Sequence, residues 1–270
     1  MNPRVLLFVP VYNCVNQIDK VIENISTKKY IDSVIFVDNG SVDGTREKIC
    51  DNIHLLNNTE AFLLHNKSNY NLGGSHKVAF KYLIENKFDY LIVLHGDAQG
   101  NIDDIDELIT SSEYINYDCL LGSRFSKNSK LANYSFVRIL GNRIFNLLSS
   151  FILKKKITDL GAGLNMFSRR FIESIPYWNY PNDLYFNFFL TYVIFTETKF
   201  KSRYFPISWA EDGQKSNVKY FNITINYFKL NIFYLIQKNK FIRMYLDLND
   251  MTNVNDYHYN IIISGSVKNK

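Results

Sequence analysis

Leu91-Ile92-Val93-Leu94-His95-Gly96-Asp97-Ala98-Gln99-Gly100 joins an apolar run of strand length to a polar turn flanked by glycines. Four apolar residues bounded by a turn signal predict a buried strand. Asp97 and Gln99 follow two positions apart, at the strand's carboxyl end. A carboxylate and an amide on a rigid turn beside a core strand suit a ligand better than a core.

Working outward, apolar runs of strand length recur at 5–9, 34–37, 61–64, 90–94 and 119–121. Segments of helical length separate them, at 16–27, 43–52, 74–86 and 102–111. This alternation predicts right-handed βαβ units and an α/β fold, with a mainly parallel central sheet and helices on both faces. Ligands of such sheets bind outside the carboxyl ends of the strands. Three polar loops fall at those ends: Pro10-Val11-Tyr12-Asn13, Asp38-Asn39-Gly40-Ser41, and the turn from His95 to Gln99.

From about Asn133 the alternation weakens. A long helix is expected over 134–153, then an irregular turn reading ITDLGAG and a short strand over 164–167. Two more helices are expected over 183–196 and 221–237, the latter aromatic but interrupted by Asn222, Asn226, Lys229 and Asn231. The division expected is a main domain over 1–217 and an aromatic helical extension with a polar tail over 218–270. The tail after Met251 reads as loosely ordered.

Composition bounds the partners. The chain has 270 residues, 46% hydrophobic and 21% charged, enough for a sizeable core. Its formal charge of +5 is spread widely, which fits a small anionic substrate or a membrane surface and argues against nucleic acid. Cys14, Cys50 and Cys119 are far apart and odd in number, so neither a disulfide framework nor a zinc pattern follows. No stretch reaches the roughly 18 uncharged apolar residues of a spanning helix, and the expected location is cytoplasmic.

The loops carry the chemistry. In VDNGSVDGT, residues 37–45, Asp38 closes a strand, Gly40 permits a tight turn, and Ser41 or Asp43 can cap the next helix. In Asn71-Leu72-Gly73-Gly74 two glycines allow close approach to the backbone, and the following helix N-terminus favours an anion. Asp97 and Gln99 offer two oxygens to a hard divalent cation such as Mg2+ or Mn2+, which completes its shell with substrate phosphate. His95 reads as a nucleotide contact or a satisfied strand-end histidine, in preference to a metal ligand.

Taken in order, VPVYN, VDNGSVDGT, NLGG, GDAQ, GSRF and ITDLGAGLNMF resemble the family 2 glycosyltransferases of GT-A fold, a Rossmann-like architecture for nucleotide-diphospho-sugars. The resemblance is nearest to the dolichol- and polyprenyl-phosphate sugar transferase branch and related bacterial surface-polysaccharide enzymes. It implies that Pro10, Tyr12 and Asn13 lie beside a nucleotide, that Asp38 contacts the base, and that Gly73 and Gly74 face the nucleotide. The branch's DxDxQ metal motif matches Asp97 and Gln99, with His95 standing where the branch has its first acid. The resemblance also implies that Arg124, in GSRF, and Arg138, on the following helix, receive phosphate charge.

For a general base, Asp183 is preferred over Asp159, with Asp183 also read as a helix cap and Asp159 also read as a loop-holding acceptor. Glu211 and Asp212 precede GQKSNVK, which resembles the family's loop over the acceptor. The implied activity is metal-dependent inverting transfer from a nucleoside-diphosphate sugar to a glycan or lipid-phosphate acceptor, in surface polysaccharide synthesis. The implied partners include peripheral contact with the inner face of the plasma membrane, or self-association, through 221–237. A non-catalytic GT-A-like module that binds a sugar nucleotide is the rival reading, because His95 replaces an acid. No GxGxxG follows the first strand, which counts against a dehydrogenase.

Overall fold

The structure, a computed structural model, describes residues 2–57, 59–211, 220–245 and 257–265. Its strands are β1 (Val5–Val11), β2 (Ser33–Asp38), β3 (Glu60–Asn66), β4 (Tyr90–Leu94), β5 (Cys119–Ser123), β6 (Lys130–Ala132), β7 (Leu164–Ser168), β8 (Ser202–Pro206), β9 (Ser208–Ala210) and β10 (Tyr259–Gly265). Its helices are α1 (Ile18–Ser26), α2 (Thr45–Asn52), α3 (Asn71–Glu85), α4 (Asp106–Thr110), α5 (Phe136–Leu153), α6 (Arg169–Glu173), α7 (Tyr185–Thr196), α8 (Tyr220–Ile236) and α9 (Lys238–Tyr245).

Eight strands form one sheet in the order β10-β3-β2-β1-β4-β7-β5-β8. Pairings among β3, β2, β1 and β4, and between β5 and β8, are parallel. β7 runs antiparallel between β4 and β5, and β10 runs antiparallel along β3. The fold is α/β with a mostly parallel sheet, as the strand spacing predicts.

Alternate side chains of β1 separate two cores. Leu6 and Phe8 pack with α3 and α7 on one face, while Val5, Leu7 and Val9 pack with α1 and α4 on the other. A strand buried on both faces must be apolar at consecutive positions, which is why β1 and β4 read as unbroken runs. On α1, Ile18, Val21, Ile22 and Ile25 are buried at the i, i+3, i+4, i+7 spacing of a single helix face.

The structure departs from the expectation where pairing supplies what periodicity cannot. β6 and β9 have three residues each and exist through their pairing with one another. The expected helix at 102–111 is a 3-10 turn over Ile102–Ile105 followed by the single turn of α4. The tail read as loosely ordered contributes β10, whose partner β3 would otherwise leave an open edge. Residues 212–219, 246–256 and 266–270, which include Asp212, the whole GQKSNVK run and the rest of the tail, lie outside the described residues.

Candidate active site at the carboxyl edge of the sheet

The loops after β1, β2 and β4 are bound into one surface. Asn13 N–H donates to Ser41 Oγ at 3.0 Å, and Val42 N–H donates to Asn13 Oδ1 at 2.9 Å. Gly96 N–H donates to the Pro10 carbonyl at 3.1 Å. A Cβ on Gly96 would stand 2.6 Å from Val11 Cγ1, so only glycine lets these strands' ends meet. Asn13 adopts φ +52°, a left-handed bend that asparagine tolerates. Tyr12 is exposed above this junction.

Asp38 lies beneath the loop. It is fully buried, with Oδ1 accepting from Ser41 N–H at 2.9 Å and Oδ2 lying 2.8 Å from His65 Nδ1 and 3.4 Å from Arg46 Nε. A base contact through Asp38 therefore requires His65 or Arg46 to release it. Gly73 and Gly74 lie against protein at close range. A Cβ on Gly73 would sit 2.5 Å from the Pro181 carbonyl oxygen, and Gly74 N–H donates to the Asn182 carbonyl at 3.1 Å. The close approach Gly73 permits is that of the chain before α7, and a Cβ on Gly74 would stand 2.3 Å from Tyr70 Cβ.

The turn after β4 is stiffened from both ends. His95 N–H donates to the Gly163 carbonyl at 3.1 Å, and Gln99 N–H donates to Asp97 Oδ1 at 3.1 Å across Ala98, which adopts φ +55°. Ala210 N–H donates to the Gln99 carbonyl at 2.9 Å, and Gly100 bridges to Trp209. Burial pushes the Asp97 carboxyl above its usual range. Burial, and then the charge of Arg124, lowers His95 to about 4, so its imidazole is neutral at pH 7. Among the described residues no three His, Cys, Asp or Glu side chains gather as a metal set. Asp97 and Gln99 still fit a hard cation, since both offer oxygen and a divalent charge offsets the cost of burying an ionised carboxylate.

Beside the turn lies a second cluster. Arg124 is buried; its Nε and Nη2 donate to Asp159 Oδ2 and Oδ1, each at 2.7 Å, and its backbone N–H donates to Oδ2 at 2.9 Å. Gly161 N–H donates to Oδ1 at 3.0 Å. A carboxylate has about four lone-pair sites, and those of Asp159 are all engaged. Asp159 thus holds the ITDLGAG loop and its arginine, the loop-holding role among its two expected ones. Burial works to lower Arg124, but the charge and hydrogen bonds of Asp159 outweigh it and hold the guanidinium firmly protonated. The Arg124 Nη1 donates to Tyr134 Oη at 3.2 Å. Arg138 pairs with Glu211 and lies 5.0 Å from the Tyr134 ring centre. The two arginines expected to meet phosphate therefore flank one tyrosine, each with a carboxylate partner.

Asp183 is exposed before α7, its Oδ1 accepting from Tyr185 N–H at 2.9 Å as a turn cap. Lys77 fixes the loop that carries it. This buried ammonium donates to the carbonyls of Trp178 and Tyr180, to Asn182 Oδ1 and to Tyr257 Oη, at 2.5 to 3.0 Å. Sequence reasoning missed Lys77, Tyr134 and Trp209. Lys77 looks like one more helix residue, and the other two stand in segments without usable periodicity.

The family model described as glycosyl transferase family 2 matches residues 7–175. A polyprenol monophosphomannose synthase of Mycolicibacterium smegmatis is 23% identical over 172 residues, 64% of this chain and 64% of that protein. A UDP-N-acetylglucosamine--dolichyl-phosphate N-acetylglucosaminyltransferase of Methanococcus voltae is 25% identical over 176 residues, 61% of this chain and 69% of that protein. The alignment spans less than two thirds of the length of the mycobacterial relative. Among solved structures, glucosyl-3-phosphoglycerate synthase from Mycobacterium tuberculosis, in complex with Mn2+ and uridine-diphosphate-glucose, superposes with a TM-score of 0.60 at 12% identity. That likeness covers 86% of this chain and 78% of the other, and it speaks to the fold.

Proposed function

The chain belongs to glycosyl transferase family 2 and has the GT-A fold, and from that premise we propose that it moves a sugar from a nucleoside-diphosphate sugar to a lipid-phosphate acceptor. One observation carries the reading. The loops at 10–13, 38–41 and 95–99 are hydrogen-bonded into one surface, and the Arg124–Tyr134–Arg138 cluster stands against the same turn through Trp209. One half of that surface suits a sugar nucleotide; the other suits a second anion.

Pro10, Tyr12 and Asn13 line the donor half. Asp97 and Gln99 would hold a Mg2+ or Mn2+ ion, which when bound neutralises charge on the departing diphosphate. His95, neutral and half-buried, keeps positive charge off the turn and leaves Asp97 as the anionic group there. The acceptor oxygen forms its bond to the anomeric carbon as the bond to the diphosphate breaks, from the opposite face. A hydroxyl acceptor needs a carboxylate to take its proton. Asp159 is fully engaged and Asp183 caps a turn in the open, so an acceptor that arrives as an anion is favoured. A phosphate monoester qualifies, its second pKa being about 6. Arg124 and Arg138 would share such a phosphate with Asp159 and Glu211, because a guanidinium presents five donors.

Thermal unfolding of the full chain with UDP, GDP, CDP or dTDP, each with and without Mn2+, tests the donor site. A metal-dependent rise for one nucleotide that disappears in Asp97→Asn is the expected result. An unchanged rise in that variant, or none with any nucleotide, overturns the reading.

A further inference from the structure

From Cys119 to Thr158 the sequence contains no Asp or Glu. The counter-charges of Arg124 and Arg138 must therefore come from outside that stretch, and they come from Asp159 and Glu211. The two carboxylates hold their arginines differently. Asp159 is 1% exposed and accepts four N–H groups, three of them from Arg124. Turning it aside would strand those donors in the interior. Glu211 is 15% exposed and its partner Arg138 is 29% exposed; they meet at one carboxylate oxygen, Oε1, and one guanidinium nitrogen, Nη1. Of the two pairs, this is the one that can open toward a ligand.

The backbone beneath Glu211 is fixed while its side chain is not. Ala210, the last residue of β9, donates its N–H to the Gln99 carbonyl at 2.9 Å, and Glu211 N–H donates to the Ala132 carbonyl at 3.1 Å. Opening the pair thus takes rotation of one side chain, one residue from the strand's contact with the turn that carries Asp97. With both pairs closed the two guanidiniums are matched by two carboxylates, and the negative charge of Glu211 reaches Arg124 and Tyr134 as well. A phosphate that enters this cluster has to take Arg138 from an anion already there. Its apparent affinity is its intrinsic affinity reduced by the fraction of time the pair stands open.

We propose that Glu211 is an internal occupant of the acceptor half, standing on Arg138 in place of a phosphate until one displaces it. The inference rests on the reading of the Arg124–Tyr134–Arg138 cluster as that half, and adds to it a built-in competitor. The competitor lowers the affinity of every dianionic phosphate by one common factor. A free phosphate then binds poorly, and an acceptor fills the site by contributing contacts elsewhere along its length, which is binding energy spent on opening the pair. A pair that merely tied α5 to β9 would act otherwise: breaking it would lower stability and give no anion a better site.

Thermal unfolding of the full chain at pH 8 and constant ionic strength, titrated with inorganic phosphate or with phenyl phosphate, tests the proposal through the dissociation constants that the rise in stability yields. Both probes are largely dianionic there, their second pKa values lying near 6 to 7. Glu211→Gln should lower both constants at least about tenfold, the weight of one charge-assisted hydrogen bond, and by the same factor for the two probes. Glu211→Ala, which leaves no oxygen for Arg138, should show the same gain. In a chain already carrying Arg138→Gln, adding Glu211→Gln should change neither constant, because the carboxylate then has no arginine to withhold. No gain in either Glu211 variant, a gain for one probe alone, a gain that survives Arg138→Gln, or no binding of either probe by any of these chains overturns the proposal. The metal-dependent nucleotide shift of the unaltered chain decides the donor reading separately: it can stand while Glu211→Gln gains nothing, and it can fail while the gain is seen.

Discussion

Helices α1 and α5 are both amphipathic, yet they are oriented oppositely. α1 sends Ile18, Val21, Ile22 and Ile25 into the core and its polar residues to solvent. α5 sends Asn146 and Ser149 inward and Phe136, Leu147 and Phe151 outward. The contrast extends to the halves that hold them. The first is built on aliphatic packing across a sheet, and the second leans on buried polar contacts such as Arg124–Asp159 and Tyr192 Oη donating to Asn231 at 2.6 Å. A helix keeps its apolar side in water only at a free-energy cost, and the difference is that α5 carries that cost where α1 does not.

The sharpest way to break this comparison is at the buried ion pair. Arg124→Ala leaves the Asp159 carboxylate buried without its partner, and a loss of about 3–5 kcal/mol is expected in denaturant unfolding. A loss below about 1 kcal/mol would show that the second half does not depend on this pair. The next test sets the helices against each other. Ile22→Ala on α1 should cost about 2–5 kcal/mol through its cavity, whereas Leu147→Ala on α5 should stay within about 0.5 kcal/mol. Equal losses would mean that the α5 stripe is packed in solution.

A third test is a pH dependence in the first half. His76 is buried among Phe8, Phe80 and Phe186, and burial lowers its imidazole to about 3. An unfolded chain binds that proton near pH 6.5 and the folded chain does not until about pH 3, so stability falls as pH drops through this window. The slope expected from one such histidine is about 1.4 kcal/mol per pH unit. Urea unfolding at pH 7.5 and 5.0 should show the loss, and His76→Asn, which retains a donor for the Leu72 carbonyl, should reduce it.

Much of the first half was legible because its strands are buried on both faces. Runs such as 5–9 and 90–94 are unbroken for that reason, and the polar residues ending them mark the sheet's carboxyl edge. The loops around Asn13, Ser41 and Asp97 therefore meet where the strand order expects. The same logic could not name the protein neighbours of Gly73 and Gly74, since a glycine records that something approaches closely without recording what. Asp159 was legible as the acid of a glycine-rich loop and not as a partner of Arg124, because 35 positions separate them in the chain.

What the sequence by itself determined is the set of local decisions: which long periodic segments are strands and helices, which turns need glycine or asparagine, and where a carboxylate and an amide stand two apart. Those depend on neighbours a few residues away. Tertiary structure alone decided that β10 closes the edge of β3, that Lys77 ties α3 to the loop before Asp183, and that the apolar stripe of α5 faces outward. Each of these joins groups far apart in the chain. A helical period fixes that a helix has two sides, but only the packing of the rest of the molecule decides which side is turned in.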